Sequence, residues 1–299
     1  MPQSSPREQI VRRALDETGQ DSARNIRAVC PFCVREGHFT VKRNLSFNKA
    51  SGWWSCWRCN KRGRFSGYAS DSASASEARS STTTAAALLF DPPQSYIPIG
   101  AGPGASSPLT AAARRYAAKR RLSPAVQAEA YLGMVLRAEG DQDFTGRLII
   151  PVLPASGDRE HWLGWIGRDF TGRKADKYKY PVGMSRGKIM YNEAALHAAS
   201  DKPVLVVEGA LDVLPFWPDG VAVLGTYSEY QIGMLANCRR PILVALDGDA
   251  WDKARALVWY LALAGHKNCG WIRLPPKKDP DEMVAEIVHS MEHPETWTR

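Results

Sequence analysis

The chain reads as α/β: a parallel-sheet domain, preceded by a mixed, basic α+β subdomain and a small β module held by zinc. Three observations predict this. Apolar strands alternate with helices over residues 203–274, two C-x-x-C pairs lie near the N-terminus, and a basic stretch with strand-like runs separates the two regions. In the C-terminal part, PVLVVE, GVAVLGT, PILVAL and CGWIRL read as strands, with ALDVLPFW, EYQIGMLANC and AWDKARALVWYLALAG as helices between them. These strands are continuously apolar rather than alternating, as expected of a parallel sheet covered on both faces.

Upstream, Ile10, Val11, Ala14 and Leu15 fall at helical spacing. TAAARRYAAKRRLSPAVQAEAYL (110–132) reads as two helices broken at Ser123-Pro124, where a serine suits an N-cap and a proline the first turn. GRLIIPVL (146–153) and HWLGWIGRDF (161–170) read as strands joined by a turn-rich segment. Residues 70–87 are low-complexity Ser/Ala/Thr and 91–108 are rich in Pro and Gly, compositions that build no core. The expected organisation is a helix and zinc module (1–68), a flexible tether (69–106), a basic subdomain (107–199) and a parallel-sheet domain with a C-terminal helix (200–299).

With 299 residues, 44% hydrophobic and 23% charged, the composition is that of an ordinary soluble protein. No apolar run reaches the ~20 residues of a membrane span, and the N-terminus lacks the apolar core of a secretory signal. A cytoplasmic location and no membrane partner are expected. The net charge of +8 is divided into a basic head, a basic middle and an acidic tail. A polyanion held by the first two regions fits that division.

CPFC (30–33) and CWRC (56–59) place Cys30, Cys33, Cys56 and Cys59 at two turns that can offer four thiolates to one structural zinc. So small a module has little core of its own, and a metal would supply its folding free energy. Lys42, Arg43, Arg58, Lys61 and Arg62 are interleaved with Trp53 and Trp57, a mixture suited to single-stranded nucleic acid through phosphate contacts and stacking. The same aromatics also serve as the module's core, with Trp53 or Trp54 expected inward.

Carboxylates follow three strands. Glu208 ends VLVVE with Asp212 one turn later, Asp247 and Asp249 end VALDGD, and Asp279 and Asp281 lie in DPDEM after the last strand. Ligands of open parallel sheets bind beyond the carboxyl ends of the strands. Acids gathered there are hard oxygen ligands for magnesium or manganese, which such sites share with substrate phosphates.

In order, VLVVEGALDV, LGT, ALDGDAWDKA and DPDEM resemble the successive motifs of a TOPRIM domain. Upstream, YAAKRRLSPAVQAEAYLGM, GRLIIPV, GWIGRDF, DKYKYPVG and SRGKIMYN resemble the RNA polymerase domain of DnaG-type primases. CPFC…NLSFNKASGWWSCWRCNKRGRFSGY resembles the zinc ribbon that heads the same family. The resemblance spans about residues 27–285 and leaves only the tether unmatched. It implies a DNA primase, a DNA-directed RNA polymerase making short primers from ribonucleoside triphosphates on single-stranded DNA. It further implies that Glu208, Asp247 and Asp249 are catalytic or metal-binding, supported by Asp212, Asp279 and Asp281. Arg147, Arg168, Lys177 and Arg186 match the nucleotide- and template-binding stretch, with Lys188 a rival to Arg186. Bacterial members usually have a histidine in the first zinc pair, whereas this chain has four cysteines, as in some phage primases. No helicase-binding domain or Walker motif is found, so a replicative helicase is expected on a separate chain, in a bacterial cell with a phage or plasmid origin plausible. The rivals are a TOPRIM nuclease and an inactive, zinc-dependent single-strand-binding accessory.

Overall fold

The computed structural model describes residues 5–38, 42–59, 61–65, 89–100, 107–138 and 142–299. Helix α1 (Pro6–Thr18) starts where the Ser5 hydroxyl accepts from the Glu8 amide and Pro6 presets the first turn. Strands β1 (Gln20–Asp21), β2 (Asn25–Ala28), β3 (Leu45–Asn48), β4 (Trp53–Cys56) and β5 (Arg62–Arg64) follow as an antiparallel meander, with the short helix α2 (Pro31–Arg35) between β2 and β3. Val11, Leu15, Leu45, Phe47, Trp54 and Phe65 pack with the cysteines in a core of their own.

A second antiparallel sheet, in the order β10-β9-β8-β7-β6, forms the basic subdomain. Its strands are β6 (Tyr96–Pro98), β7 (Gly133–Val135), β8 (Arg147–Val152), β9 (Gly164–Asp169) and β10 (Tyr178–Lys179). Helices α3 (Pro108–Lys119) and α4 (Pro124–Glu129) precede β7, and Ser123 caps α4 as its sequence predicts.

Residues 89–100 correct the expected tether. Phe90 exchanges backbone hydrogen bonds of 2.7 and 2.8 Å with Trp162, β6 pairs with β7, and Ile99 is 1% exposed. Phe90, Tyr96, Ile97 and Ile99 supply apolar area that the Pro/Gly-rich composition concealed, and prolines are tolerated because β6 is an edge strand. The basic subdomain therefore begins near 89 rather than 107. The remainder of the expected tether, including 69–88 and 101–106, lies outside the described residues.

The third sheet is parallel, in the order β12-β11-β13-β14. It comprises β11 (Val204–Val207), β12 (Gly220–Ala222), β13 (Ile242–Val244) and β14 (Cys269–Trp271), connected by α5 (Ala210–Val213), α6 (Glu229–Ala236) and α7 (Trp251–Leu263), with α8 (Val284–Glu292) after the last strand. Side chains alternate between its two faces. Leu205, Val207, Leu243 and Ala245 pack with α5 and with Leu148, Ile150 and Ile166 of the basic subdomain. Val204, Val206, Ile242 and Val244 pack with α6 and α7, and Ala14, Val29 and Val34 of the zinc module join that same cluster. The module is thus seated on α7, and not held away on a tether as the sequence implied.

Candidate active site and metal centre

Chain connectivity places a crevice at one point of the parallel sheet. From β11 the chain moves to β12 on one side and then crosses to β13 on the other, so the connections part between the carboxyl ends of β11 and β13. Glu208 directly follows the first of these strands, and Asp247 lies three residues beyond the second. Glycines hold the crevice tight. A Cβ on Gly248 would lie 1.9 Å from the Pro275 carbonyl oxygen, and the Gly248 amide donates to the Lys278 carbonyl at 2.9 Å. The loop before Asp279 is thereby held against the loop carrying Asp247 and Asp249. Leu224 and Lys277 sit in left-handed conformation on flanking turns, strain of the kind that concentrates at functional sites.

The carboxylates crowd one another. Burial, then the charges of Glu208, Asp279 and Asp249, push Asp247 up to about 6. Burial and the neighbouring Asp281, Asp247 and Asp279 push Asp212 up to about 8. Glu208 and Asp281 are raised first by burial, then by adjoining acids, against the opposing pull of Lys253 on Glu208 and of Arg120 on Asp281. Oε1 of Glu208 and Oδ1 of Asp247 are buried and accept no hydrogen bond among the described residues. Buried oxygen lone pairs without a donor, set among like charges, fit a hard divalent cation. The acids do not converge as a closed cage: among the described residues only the four cysteines bring three or more potential ligand atoms within 4.8 Å of one another. An open set of this kind leaves coordination positions for water and phosphate oxygens, as magnesium sites do.

The basic subdomain faces this edge. Arg168, on β9, stacks 4.7 Å from the Tyr178 ring centroid and helps offset the charge of Asp281, while its buried Nε and one terminal nitrogen donate to nothing among the described residues. Arg120, the residue just after α3, pairs with Asp281 at 2.5 Å, so protein already offsets the charge of Asp281. Lys177, Arg186 and Lys188 are exposed, with Arg186 4.4 Å over Tyr180. The buried Gln231 side chain anchors the 186–188 turn, its Nε2 lying 2.7–3.0 Å from the carbonyl oxygens of Ile189, Val223 and Arg186. Arg147, expected in the nucleotide- and template-binding stretch, is buried in the structure. It is 3% exposed and donates to the carbonyls of Gly167 and Asp176 at 3.2 and 2.8 Å, a strut that fixes the loop before Lys177.

No family model matches the sequence. Two curated relatives are similar over about half the chain: a DNA primase of Borreliella burgdorferi, 28% identical over 161 residues (49% of this chain, 29% of the relative), and a DNA primase of Enterococcus faecalis, 25% identical over 157 residues (48% and 25%). The chain thus spans less than a third of the length of the relatives it matches. Among solved structures, the DnaG catalytic core superposes with a TM-score of 0.51 and 22% identity, covering 64% of this chain and 74% of that one. The fold is that of the DnaG catalytic core.

To this DnaG-like core the zinc module adds the cysteine cluster. Sγ of Cys30 lies 3.6 Å from that of Cys59, and Sγ of Cys33 lies 3.7 Å from that of Cys56. These separations exclude disulfides and match the ~3.8 Å edge of a tetrahedron with 2.3 Å zinc–sulfur bonds. Hydrogen bonding from Cys33 and Cys56, with burial, drives the Cys30 thiol far above its usual range. Without a cation among them these sulfurs resist ionisation, and a bound cation would let all four act as thiolate ligands. Of the module's other candidates, Trp57 is 70% exposed and Lys42 is exposed, while Trp53 and Arg62 are half-buried. Trp54, not Trp53, fills the core, at 3% exposure. Arg43 donates to the Thr18 carbonyl at 2.9 Å, Arg58 lies 4.0 Å from Glu229 of α6, and Lys61 pairs with Glu36.

Arg120, Gln231 and Lys253 were not anticipated. Lys253, one turn into α7 behind Asp249, is the cation that offsets both Glu208 and Asp247, and its spacing from the DGD triplet was the available signal. Arg120 and Gln231 act across long sequence separations, and nothing local marks them. No helix among the described residues is long and apolar enough to cross a membrane.

Proposed function

We propose that the chain is a DNA primase, a DNA-directed RNA polymerase joining ribonucleoside triphosphates on a single-stranded DNA template. The observation that carries this reading is the crevice between β11 and β13, where buried oxygens of Glu208 and Asp247 accept no hydrogen bond among the described residues, with Arg168 of the basic subdomain close enough to Asp281 of the same acidic group to offset its charge. Glu208, Asp247 and Asp249 hold magnesium or manganese, which when bound neutralises phosphate charge and activates the attacking hydroxyl. Asp212 and Asp279 sustain the negative field, and Asp281, through Arg120, ties the acidic loop to α3. Arg168 binds the triphosphate, and Lys177, Arg186 and Lys188 lead the template backbone towards the crevice. Arg147 positions the loop of Lys177 instead of touching substrate.

Cys30, Cys33, Cys56 and Cys59 hold one structural zinc. Trp57 and Lys42 offer the module's exposed stacking and phosphate contacts, with Arg62 and Trp53 beside them, and Arg43, Arg58 and Lys61 brace the module. A separate helicase chain would deliver the unwound template in the cytoplasm of a bacterial cell, with the gene carried by the host, a phage or a plasmid.

Incubation with a mixed-sequence single-stranded template, four labelled ribonucleotides and magnesium tests the proposal. Short template-dependent RNAs are expected. Degradation of DNA without nucleotides would identify a TOPRIM nuclease instead, and DNA binding without magnesium-dependent chemistry an accessory protein.

A further inference from the structure

The tail of the chain is acidic overall, yet several of its cations gather on one face. Trp251, at the start of α7 and two residues beyond Asp249, lies beneath two guanidinium groups: Arg273 at 4.7 Å and Arg255 at 5.7 Å from its ring centroid. The same indole stacks on Trp271 of β14, with centroids 6.4 Å apart and planes at 20°. From Arg255 and Trp271 a cleft of about 360 Å³ runs along the seam between α7, β14 and α1 of the zinc module, lined also by Arg13, Lys267, Arg299 and Trp259. Trp259 is 3% exposed, and its Nε1 has no acceptor among the described residues. Glu17 is the one acid lining the cleft among the described residues. It is committed to Arg255 at 3.2 Å, with Asp252 3.8 Å away on the other side. Arg13, Lys267 and Arg273 are exposed and form no ion pair among the described residues.

We propose that this seam is a second single-strand nucleic-acid site, distinct from the template path over the basic subdomain. It would take backbone phosphates of the strand on the far side of the acidic crevice. Guanidinium groups stacked on indoles are held flat while keeping N–H donors for phosphate. Cations strung along a groove, instead of converging on one point, suit a polyanion more than a single phosphate. Trp251, which carries Arg273 and Arg255, follows Asp249 by two residues, so a strand leaving the crevice along α7 would reach these cations first and the cleft after them. Only this last point rests on the nucleotidyl-transfer reading.

The test is the salt dependence of binding of a labelled oligo-dT to the full-length, zinc-loaded chain, compared with a Lys267→Gln/Arg273→Gln variant whose melting temperature matches the parent. The slope of log K against log salt should become shallower by roughly 1.4, about 0.7 for each lost single-strand phosphate contact. Trp251→Phe, which keeps the cations, should retain the slope and lose part of the tryptophan quenching seen on binding. An unchanged slope in the double variant overturns the proposal, as does failure of the parent to bind single strands or a slope change confined to duplex DNA. Primer synthesis is scored separately. Primers with an unchanged slope overturn the seam alone, and a lowered slope without primers overturns the polymerase reading alone.

Discussion

Gly248→Ala is the sharpest perturbation of the acidic crevice, because the added methyl group meets main chain. Its Cβ would lie 1.9 Å from the Pro275 carbonyl oxygen, whereas real Cβ contacts essentially never fall under 3.0 Å. The loops carrying Asp247 and Asp279 must therefore separate by about 1 Å, and the 2.9 Å bond from the Gly248 amide to the Lys278 carbonyl weakens or breaks. Overpacking of this kind costs about 1–3 kcal/mol of stability, or a few degrees in melting temperature for a chain of this size. A displacement of about 1 Å in groups that position reacting atoms costs on the order of 100-fold in rate. Initial rates of dinucleotide formation, measured with melting curves on the same preparations, separate the two effects. A folded Gly248→Ala protein working within a few-fold of the parent would refute the claim that both loops form one site.

Other consequences follow from the same geometry. In chelator-treated protein, Asp212 and Asp247 hold protons in the fold that the unfolded chain releases near pH 4, since burial and neighbouring acids raise them to about 8 and about 6. Their contribution to stability is complete below pH 4 and is lost as pH rises through 6 and 8; differential scanning calorimetry should show the melting temperature of these variants' parent falling over that range relative to an Asp212→Asn/Asp247→Asn protein, with added magnesium narrowing the gap at pH 8. Ile99→Ala should cost about 2–5 kcal/mol in urea unfolding if 89–100 belongs to the folded subdomain, and nothing if it is tether. Arg120→Ala should cost about 1–2 kcal/mol, because the pair with Asp281 is only partly exposed, and should lower activity by loosening the acidic loop. Cys56→Ser should abolish stoichiometric zinc in metal analysis and reduce template-dependent initiation more than nucleotide binding.

Much of the architecture was legible in the sequence because the signals were local. The parallel strands announce themselves as unbroken apolar runs, and the acids that follow three of the four can be read without coordinates. Ser123-Pro124 and the cysteine pairs are likewise local chemistry. What was not legible depends on distant partners. Phe90 and Ile99 lie in a stretch whose glycines and prolines outvote them until Trp162 and β7 supply a surface to pair with. Arg147 reads as a ligand-binding cation until its carbonyl partners close over it. The seating of the zinc module rests on Ala14, Val29 and Val34, side chains too small and too scattered to mark an interface.

The measurement that bears most directly on the central claim is magnesium-dependent dinucleotide formation on single-stranded DNA by Glu208→Gln, Asp247→Asn and Asp249→Asn, each verified as folded and zinc-loaded. Loss of product in all three, with single-stranded DNA binding retained, is the result predicted for an acidic crevice that carries the chemistry. Undiminished product from folded Asp247→Asn and Asp249→Asn proteins would contradict it.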